Sequence, residues 1–197
     1  MELATSSHGL VERVQQGDHE AFSRLFEKYR PRLAVLIHYQ LGNKTRRDAD
    51  VDDVLQETLL RAFRDIRQFE YQAPGSFWKW LARIAAHVIT DLARAQSRQK
   101  RAGEHVPFRS ESNPGGPEPA DSGTPSRIFA ENQSLGRFIE KMNLLPDDYR
   151  RVILLAKVDG LSTGEIAQVL GKSNQATALL LHRAIKRFRA IYQDETQ

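Results

Sequence analysis

The chain has 197 residues, 40% of them hydrophobic and 27% charged, with a formal net charge of +4; this suits one large or two small domains. It has no cysteine, which excludes disulfides, thiolate zinc sites and a cysteine nucleophile, and it fits a cytoplasmic protein. No stretch approaches the roughly 20 apolar residues needed to span a bilayer, and residues 1–7 lack the charged and apolar regions of a secretory leader.

Helical periodicity runs nearly throughout, and strand signals are scarce. Asp18 is placed to cap a helix carrying Phe22, Leu25, Phe26 and Tyr29. Pro31 is expected to kink or restart it before Leu33, Leu36 and Ile37, and Gly42-Asn43 closes the unit. A second helix is predicted over 51–66, with Val54, Leu55, Leu59, Ala62, Phe63 and Ile66 at helical spacing. The loop 70–75 follows, and Ser76 is placed to cap a long helix reaching toward Arg101. Residues 102–126 are rich in Pro, Gly, Ser and Glu, with almost no apolar residues. Such a segment cannot bury enough surface to offset its ordering entropy, so a flexible linker is expected. Helices resume from Arg127 through Phe138 and Met142, and again after Leu145-Pro146, with Val152, Ile153, Leu155 and Ala156 inward. The expected fold is all-α: two small helical domains, 1–101 and 127–197, joined by a flexible linker over 102–126.

The C-terminal unit carries a helix-turn-helix pattern. Ser162 and Glu165 have capping-box spacing, so the hydroxyl takes the N3 amide and the carboxylate reaches back. Ile166, Ala167 and Leu170 form a short apolar face, and Gly171 suits the left-handed residue that ends a helix. Ser173 is placed to cap the next helix, which ends in Arg183, Lys186, Arg187 and Arg189. Two short helices at a sharp angle, the second basic, suit the DNA major groove.

Asp48, Asp50, Asp52, Asp53 and Glu57 gather at the start of the second helix. A calcium loop fails there, since Asp53 replaces the turn glycine and Leu59 the closing glutamate. Helix-dipole complementation explains part of the cluster. It does not require Asp53, Gln56 and Glu57 to share one face, as spacings of three and four make them do. That face suits a basic partner. Further on, Phe69, Tyr71, Phe77, Trp78 and Trp80 cluster around one loop, followed by Lys79, Arg83, Arg94, Arg98, Lys100 and Arg101. Phe77 and Trp80 are expected in the core. Rings beside a stripe of cations suit a single strand, with bases stacked and phosphates neutralised.

These parts, in this order, resemble the extracytoplasmic-function (ECF) group of bacterial RNA polymerase sigma factors. Asp52-Asp53-Val54-Leu55-Gln56-Glu57-Thr58-Leu59-Leu60-Arg61-Ala62 resembles the family's polymerase-binding helix. Phe77-Trp78-Lys79-Trp80-Leu81-Ala82-Arg83-Ile84-Ala85 resembles its promoter-melting helix. Leu145-Pro146-Asp147-Asp148-Tyr149-Arg150 and the segment 161–171 resemble its helix-turn-helix domain. The resemblance implies a transcription initiation factor with no catalytic activity, no cofactor and no metal, whose partners are core RNA polymerase and promoter DNA. Asp52, Asp53, Gln56, Glu57 and Arg61 would grip the clamp helices of the largest polymerase subunit. The loop from Phe69 to Ser76, with Tyr71, Gln72, Trp78, Lys79, Arg83, Arg94 and Arg98, would capture a flipped base of the minus-ten element and hold the backbone. Ser162, Lys172, Ser173, Asn174, Gln175, Thr177, Arg183 and Lys186 would meet the minus-thirty-five element, with this domain resting on the flap of the second large subunit. Many relatives are restrained by an anti-sigma protein, so such a partner is also implied.

One departure stands out. Family recognition helices carry a Lys and an Arg in the turn after the cap, where this chain has Asn174-Gln175-Ala176-Thr177-Ala178-Leu179-Leu180-Leu181. Thr177, Leu181, Ala184 and Phe188 follow the buried spacing, leaving Leu179 and Leu180 as an apolar tip that suits a thymine methyl or another protein; a weak or altered reading of the upstream element, with these leucines as an interaction surface, is expected. Asn174 and Gln175 suit adenine, and Lys172 a phosphate. Two other readings remain open on the residues alone. A free-standing helix-turn-helix repressor or activator leaves the acidic helix and aromatic loop without a role. A nucleic-acid enzyme with magnesium on the Asp cluster lacks an accompanying Lys, His or Gly-rich motif. His38, His87 and His182 show no metal-ligand spacing.

Overall fold

The computed structural model describes residues 6–45, 50–102 and 127–193, apart from the side chains of 43–45, 99–102 and 127. The expected linker beyond Ala102, Asp48, and the side chains of Lys100 and Arg101 lie outside the described residues. Within them the fold is all-α, as expected, with no strand. The helices are α1 (Ser7–Gln15), α2 (His19–Thr45), α3 (Val51–Asp65), α4 (Ser76–Ala102), α5 (Arg127–Glu131), α6 (Gln133–Asn143), α7 (Asp147–Ile153), α8 (Thr163–Leu170) and α9 (Asn174–Gln193).

Local chemistry explains most boundaries. Ser6 caps α1 by accepting the Gly9 amide at 3.1 Å, and Leu10, Val11 and Val14 bury one face. This helix adds to the elements expected from the sequence, and its buried residues fall at helical spacing. Asp18 caps α2 as expected: its Oδ1 accepts the Ala21 amide at 2.9 Å, while Arg13 Nε donates to Oδ2 at 2.9 Å. Pro31 does not restart α2. It is exposed, so the carbonyl that loses its amide donor lies on the solvent side and the helix runs on. The departure comes at Gly42, whose φ of 59° and ψ of 170° are open only to glycine. Asp50 caps α3, and the helix tightens into a 3₁₀ turn over Ile66–Gln68. Ser76 does not cap α4 with its side chain; its Oγ is buried without a partner, and its amide donates to the Ala73 carbonyl at 3.0 Å.

The C-terminal helices follow the same logic. Asn132 divides α5 from α6, its Oδ1 accepting the Leu135 amide at 3.1 Å. After α7 the chain widens into a π-type turn over Leu154–Asp159 and stops at Gly160, with φ 77°. The Ser162–Glu165 capping box is present, and Gly171 ends α8 in the left-handed region at φ 62°. Ser173 Oγ accepts the Ala176 amide at 3.2 Å and so starts α9.

Two apolar clusters hold these helices. Val11, Leu25, Leu33, Ile37, Val54, Phe77, Leu81 and Val88 are fully buried where α1 to α4 meet. Each such side chain contributes roughly 1.5–3 kcal/mol when removed from water. Met142, Leu145, Val152, Ile153, Ile166 and Ala184 form the second cluster. The first cluster also takes in Ile128, Phe129, Leu135, Ile139 and Val158 from beyond residue 126. The segment that leads into the helix-turn-helix, through α5, α6 and Val158, is therefore packed against the N-terminal helices.

Candidate functional site

Three surfaces carry the polar and aromatic residues singled out above. The first is the outer face of α3. Asp53 and Gln56 are exposed there, with Asp52 and Glu57 half-buried beside them. Burial pushes the Asp53 carboxyl above its ordinary value, and the charges of Asp50 and Asp52 push it the same way. Asp50 is likewise raised, chiefly by burial. These acids crowd one another, and a cationic partner would relieve that repulsion. Glu57 is already engaged: Arg61 Nε donates to it at 2.7 Å, and Arg61 Nη1 donates to Asp91 on α4 at 2.9 Å. The same face continues as apolar surface, with Leu60 59% and Phe63 44% exposed. Phe63, at helical spacing with the buried Val54, Leu55 and Ala62, lies on the flank, edge-on to Phe22 at 4.8 Å. The spacing Asp53, Gln56, Leu60, Phe63 was the signal for one mixed face.

The second surface is the loop before α4 and the start of that helix. Tyr71 is half-buried, 4.5 Å from the His8 ring, and Gln72 is exposed. Lys79, Arg83, Arg94 and Arg98 are all exposed along α4. Phe69 and Trp78 depart from expectation, since both are buried. Phe69 meets Phe77 edge-on at 5.6 Å and lies 5.0 Å from Trp80. Trp78 is only 2% exposed, while Trp80, expected in the core, is half-buried. The reason is a contact that no single stretch of sequence reveals. Arg32 of α2 lies over the Trp78 ring, 4.0 Å from its centre. Its Nε donates to the Val158 carbonyl at 3.1 Å, and Trp78 Nε1 donates to the Asp159 carbonyl at 3.3 Å. A Cβ at Gly160 would meet Arg32 Nη2 at 2.9 Å, so a side chain there would have to displace the guanidinium as well as adopt a φ of 77°. Burial raises the Asp159 carboxyl, and the charge of Arg32 opposes that shift.

The third surface is the helix-turn-helix. Lys172, Ser173, Asn174, Gln175, Arg183 and Lys186 are exposed. Ser162 is also exposed, with its hydroxyl committed to the Glu165 amide at 3.3 Å. Thr177, which follows the buried spacing but is also among the residues expected to meet DNA, is wholly buried on the inward face of α9 with its Oγ1 unpaired, so the buried reading holds and the DNA contact does not. Leu180 packs partly buried against the second cluster, which leaves Leu179, 48% exposed, as the outward leucine. Among the described residues, no group of three or more His, Asp or Glu is arranged to hold a metal, and no helix is long and apolar enough to cross a membrane.

An acidic face on α3, a basic helix beside an aromatic loop, and a capped helix-turn-helix thus occur in one chain. The family model for the ECF sigma factor matches residues 5–196. This chain belongs to the ECF sigma factor family. It is similar to the ECF RNA polymerase sigma-E factor of Haemophilus influenzae, at 31% identity over 84% of each chain. It is also similar to the ECF RNA polymerase sigma factor BldN of Streptomyces coelicolor, at 30% identity over 95% of this chain and 66% of that protein. The solved structure of CnrH in complex with the cytosolic domain of CnrY aligns over 94% of this chain and 96% of that one, at 25% identity and a TM-score of 0.42. A sigma factor is a transcription initiation factor and not an enzyme: it acts by binding core RNA polymerase and promoter DNA.

Proposed function

We propose that the three surfaces divide the work of initiation. Asp52, Asp53, Gln56 and Glu57 dock on the polymerase clamp helices, with Arg61 fixing Glu57 in place. The observation that carries this reading is the acidic end of α3, where Asp50, Asp52 and Asp53 stand together and the charge of Asp53 is disfavoured first by burial and then by its two neighbours. Tyr71 and Gln72 offer the accessible contacts for an unpaired base of the minus-ten element, with Phe69 and Trp78 supporting the loop from behind. Lys79, Arg83, Arg94 and Arg98 follow the phosphates, which makes binding salt-sensitive. Ser173, Asn174, Gln175, Arg183 and Lys186 on α9, with Lys172 before it, meet the minus-thirty-five element. Residues 102–126 serve as a tether between an N-terminal and a C-terminal domain, and the cytoplasm is the site of action. An anti-sigma protein is a further partner, as the family resemblance implies.

Core polymerase pull-down and in-vitro transcription test this reading. The chain should compete with another sigma factor for core enzyme, and charge reversal at Asp53 and Glu57 together should abolish the competition while helix content is retained. A chain that binds duplex DNA but never competes would be a free-standing helix-turn-helix regulator.

A further inference from the structure

The outward stripe of α9 has a chemistry that the proposed division of work leaves unassigned. On a helix of 3.6 residues per turn, Gln175, Leu179 and Lys186 fall opposite the buried Thr177 and Ala184, with His182 and Arg183 beside them. The stripe reads amide, leucine, cations from tip to tail, and all five side chains are exposed. Leu179 is 48% exposed, with Gln175 one turn before it and His182 and Arg183 one turn after. From Asn174 to Gln193 the helix carries Arg183, Lys186, Arg187 and Arg189 and no Asp or Glu. Lys172 adds a cation just before the tip. This charge favours a polyanion over an apolar protein groove or a second copy of the chain.

We infer that Leu179 is a specificity-determining residue that reads the 5-methyl group of thymine in the major groove, about two base pairs from an adenine read by Gln175. Resting on the proposed placement of α9 in DNA, the argument is geometric. A major groove about 12 Å wide admits a helix about 10–12 Å across. Within it, a Gln amide pairs with adenine N6 and N7, and thymine alone of the four bases presents a methyl. Four residues of helix advance about 6 Å, and base pairs rise about 3.4 Å each, so Gln175 and Leu179 address positions about two base pairs apart. The cations at 183 and 186 lie further along the same stripe and reach phosphate. The result is an A·T-containing upstream element whose recognition depends on an apolar contact.

The test uses holoenzyme assembled from the full chain and core polymerase. A randomised duplex pool first yields the upstream element that is retained. Thymine in that element is then replaced by uracil, which removes only the methyl, and cytosine by 5-methylcytosine, which adds one. Wild-type holoenzyme should bind the uracil duplex about fourfold more weakly, the effect of one buried methyl. Leu179→Ala should reduce that difference to within about twofold, with helix content unchanged because alanine is the best helix former. Equal binding of thymine and uracil duplexes by the wild type would overturn the inference. So would a Leu179→Ala variant that loses polymerase affinity with its thymine preference intact, which would mark a protein contact. A chain that never joins core polymerase would overturn the division of work instead; the thymine and uracil duplexes would then be compared on the chain alone.

Discussion

Arg32 and Trp78 join three parts of the chain that lie far apart in sequence. The guanidinium sits 4.0 Å from the centre of the indole ring, and both side chains donate hydrogen bonds to the turn that leads into the helix-turn-helix. A cation on an indole face contributes about 0.5–2 kcal/mol, and a charged hydrogen bond about 1.5–3 kcal/mol. Arg32→Ala should therefore weaken the contact between α2, α4 and residues 158–160 by about 2–4 kcal/mol. Gly160→Ala should also destabilise it, by about 1 kcal/mol or more, because φ is 77° and the added Cβ falls 2.9 Å from Arg32 Nη2. The steric part disappears once Arg32 is gone, so the double variant should lose less than the sum. Urea unfolding of the four proteins measures this cycle; strict additivity would mean that Arg32 and Gly160 do not meet.

Tyr71 is the ring to test for base capture, and Trp78 is not. Trp78→Ala would open a cavity in a well-packed region at a cost of about 3–5 kcal/mol, so any lost activity would follow from lost structure. Tyr71 is half-buried, and its removal should cost the fold little. Tyr71→Ala should lower promoter opening by roughly 5- to 150-fold, the range that about 1–3 kcal/mol of stacking implies, with duplex binding almost unchanged. Permanganate reactivity of unpaired thymines, read beside a duplex-binding assay, separates the two. Equal losses in both would make Tyr71 a structural residue.

What the sequence disclosed was mostly local. Caps at Asp18, Ser162 and Ser173, and the stop at Gly171, each depend on residues within one helical turn, and all appear as read. Phe77 is buried as read, whereas Phe69, Trp78 and Trp80 differ from expectation because their burial depends on distant partners. The periodicity of α4 places Phe77 and Leu81 inward, but Trp78 on the flank is buried only because Arg32 and residues 158–160 arrive from elsewhere. Phe63 shares the helical spacing of its buried neighbours, yet it is 44% exposed because the neighbouring helices do not cover that edge of α3. Leu180 and Leu179 are adjacent and chemically identical, and only the packing of α9 on the second cluster tells them apart.

Arg61 separates shape from charge in the α3 face. It bridges Glu57 and Asp91, and both hydrogen bonds raise its own pKa, that from Asp91 most. Asp91→Asn removes the charge on the α4 side and leaves the Glu57 pair. This partly exposed network contributes about 1 kcal/mol at most, so polymerase affinity should change by less than about fivefold. Asp53→Lys should lower affinity by about 100-fold or more, in line with truncation of a desolvated interfacial charge. A polymerase titration of both variants decides the point: comparable losses would mean that α3 is recognised by its position against α4 and not by its acids.

Glu165 gives the helix-turn-helix an acid limit. Its carboxylate accepts the Ser162 amide at 2.7 Å, and this backbone hydrogen bond, then the Ser162 hydroxyl, holds its pKa below the ordinary 4.5. A carboxyl depressed in the folded state stabilises that state above its unfolded pKa, and the contribution is lost as pH falls through the folded value. The cap is thus fully formed at neutral pH and fails only below 4.5. The Ser162 amide proton should report this directly, its NMR shift titrating with a midpoint below 4.5 in the wild type. Glu165→Gln keeps an acceptor but cannot titrate, so the same amide should show no acid transition of its own. A wild-type midpoint at or above 4.5 would mean that the carboxylate does not hold the start of α8 in solution.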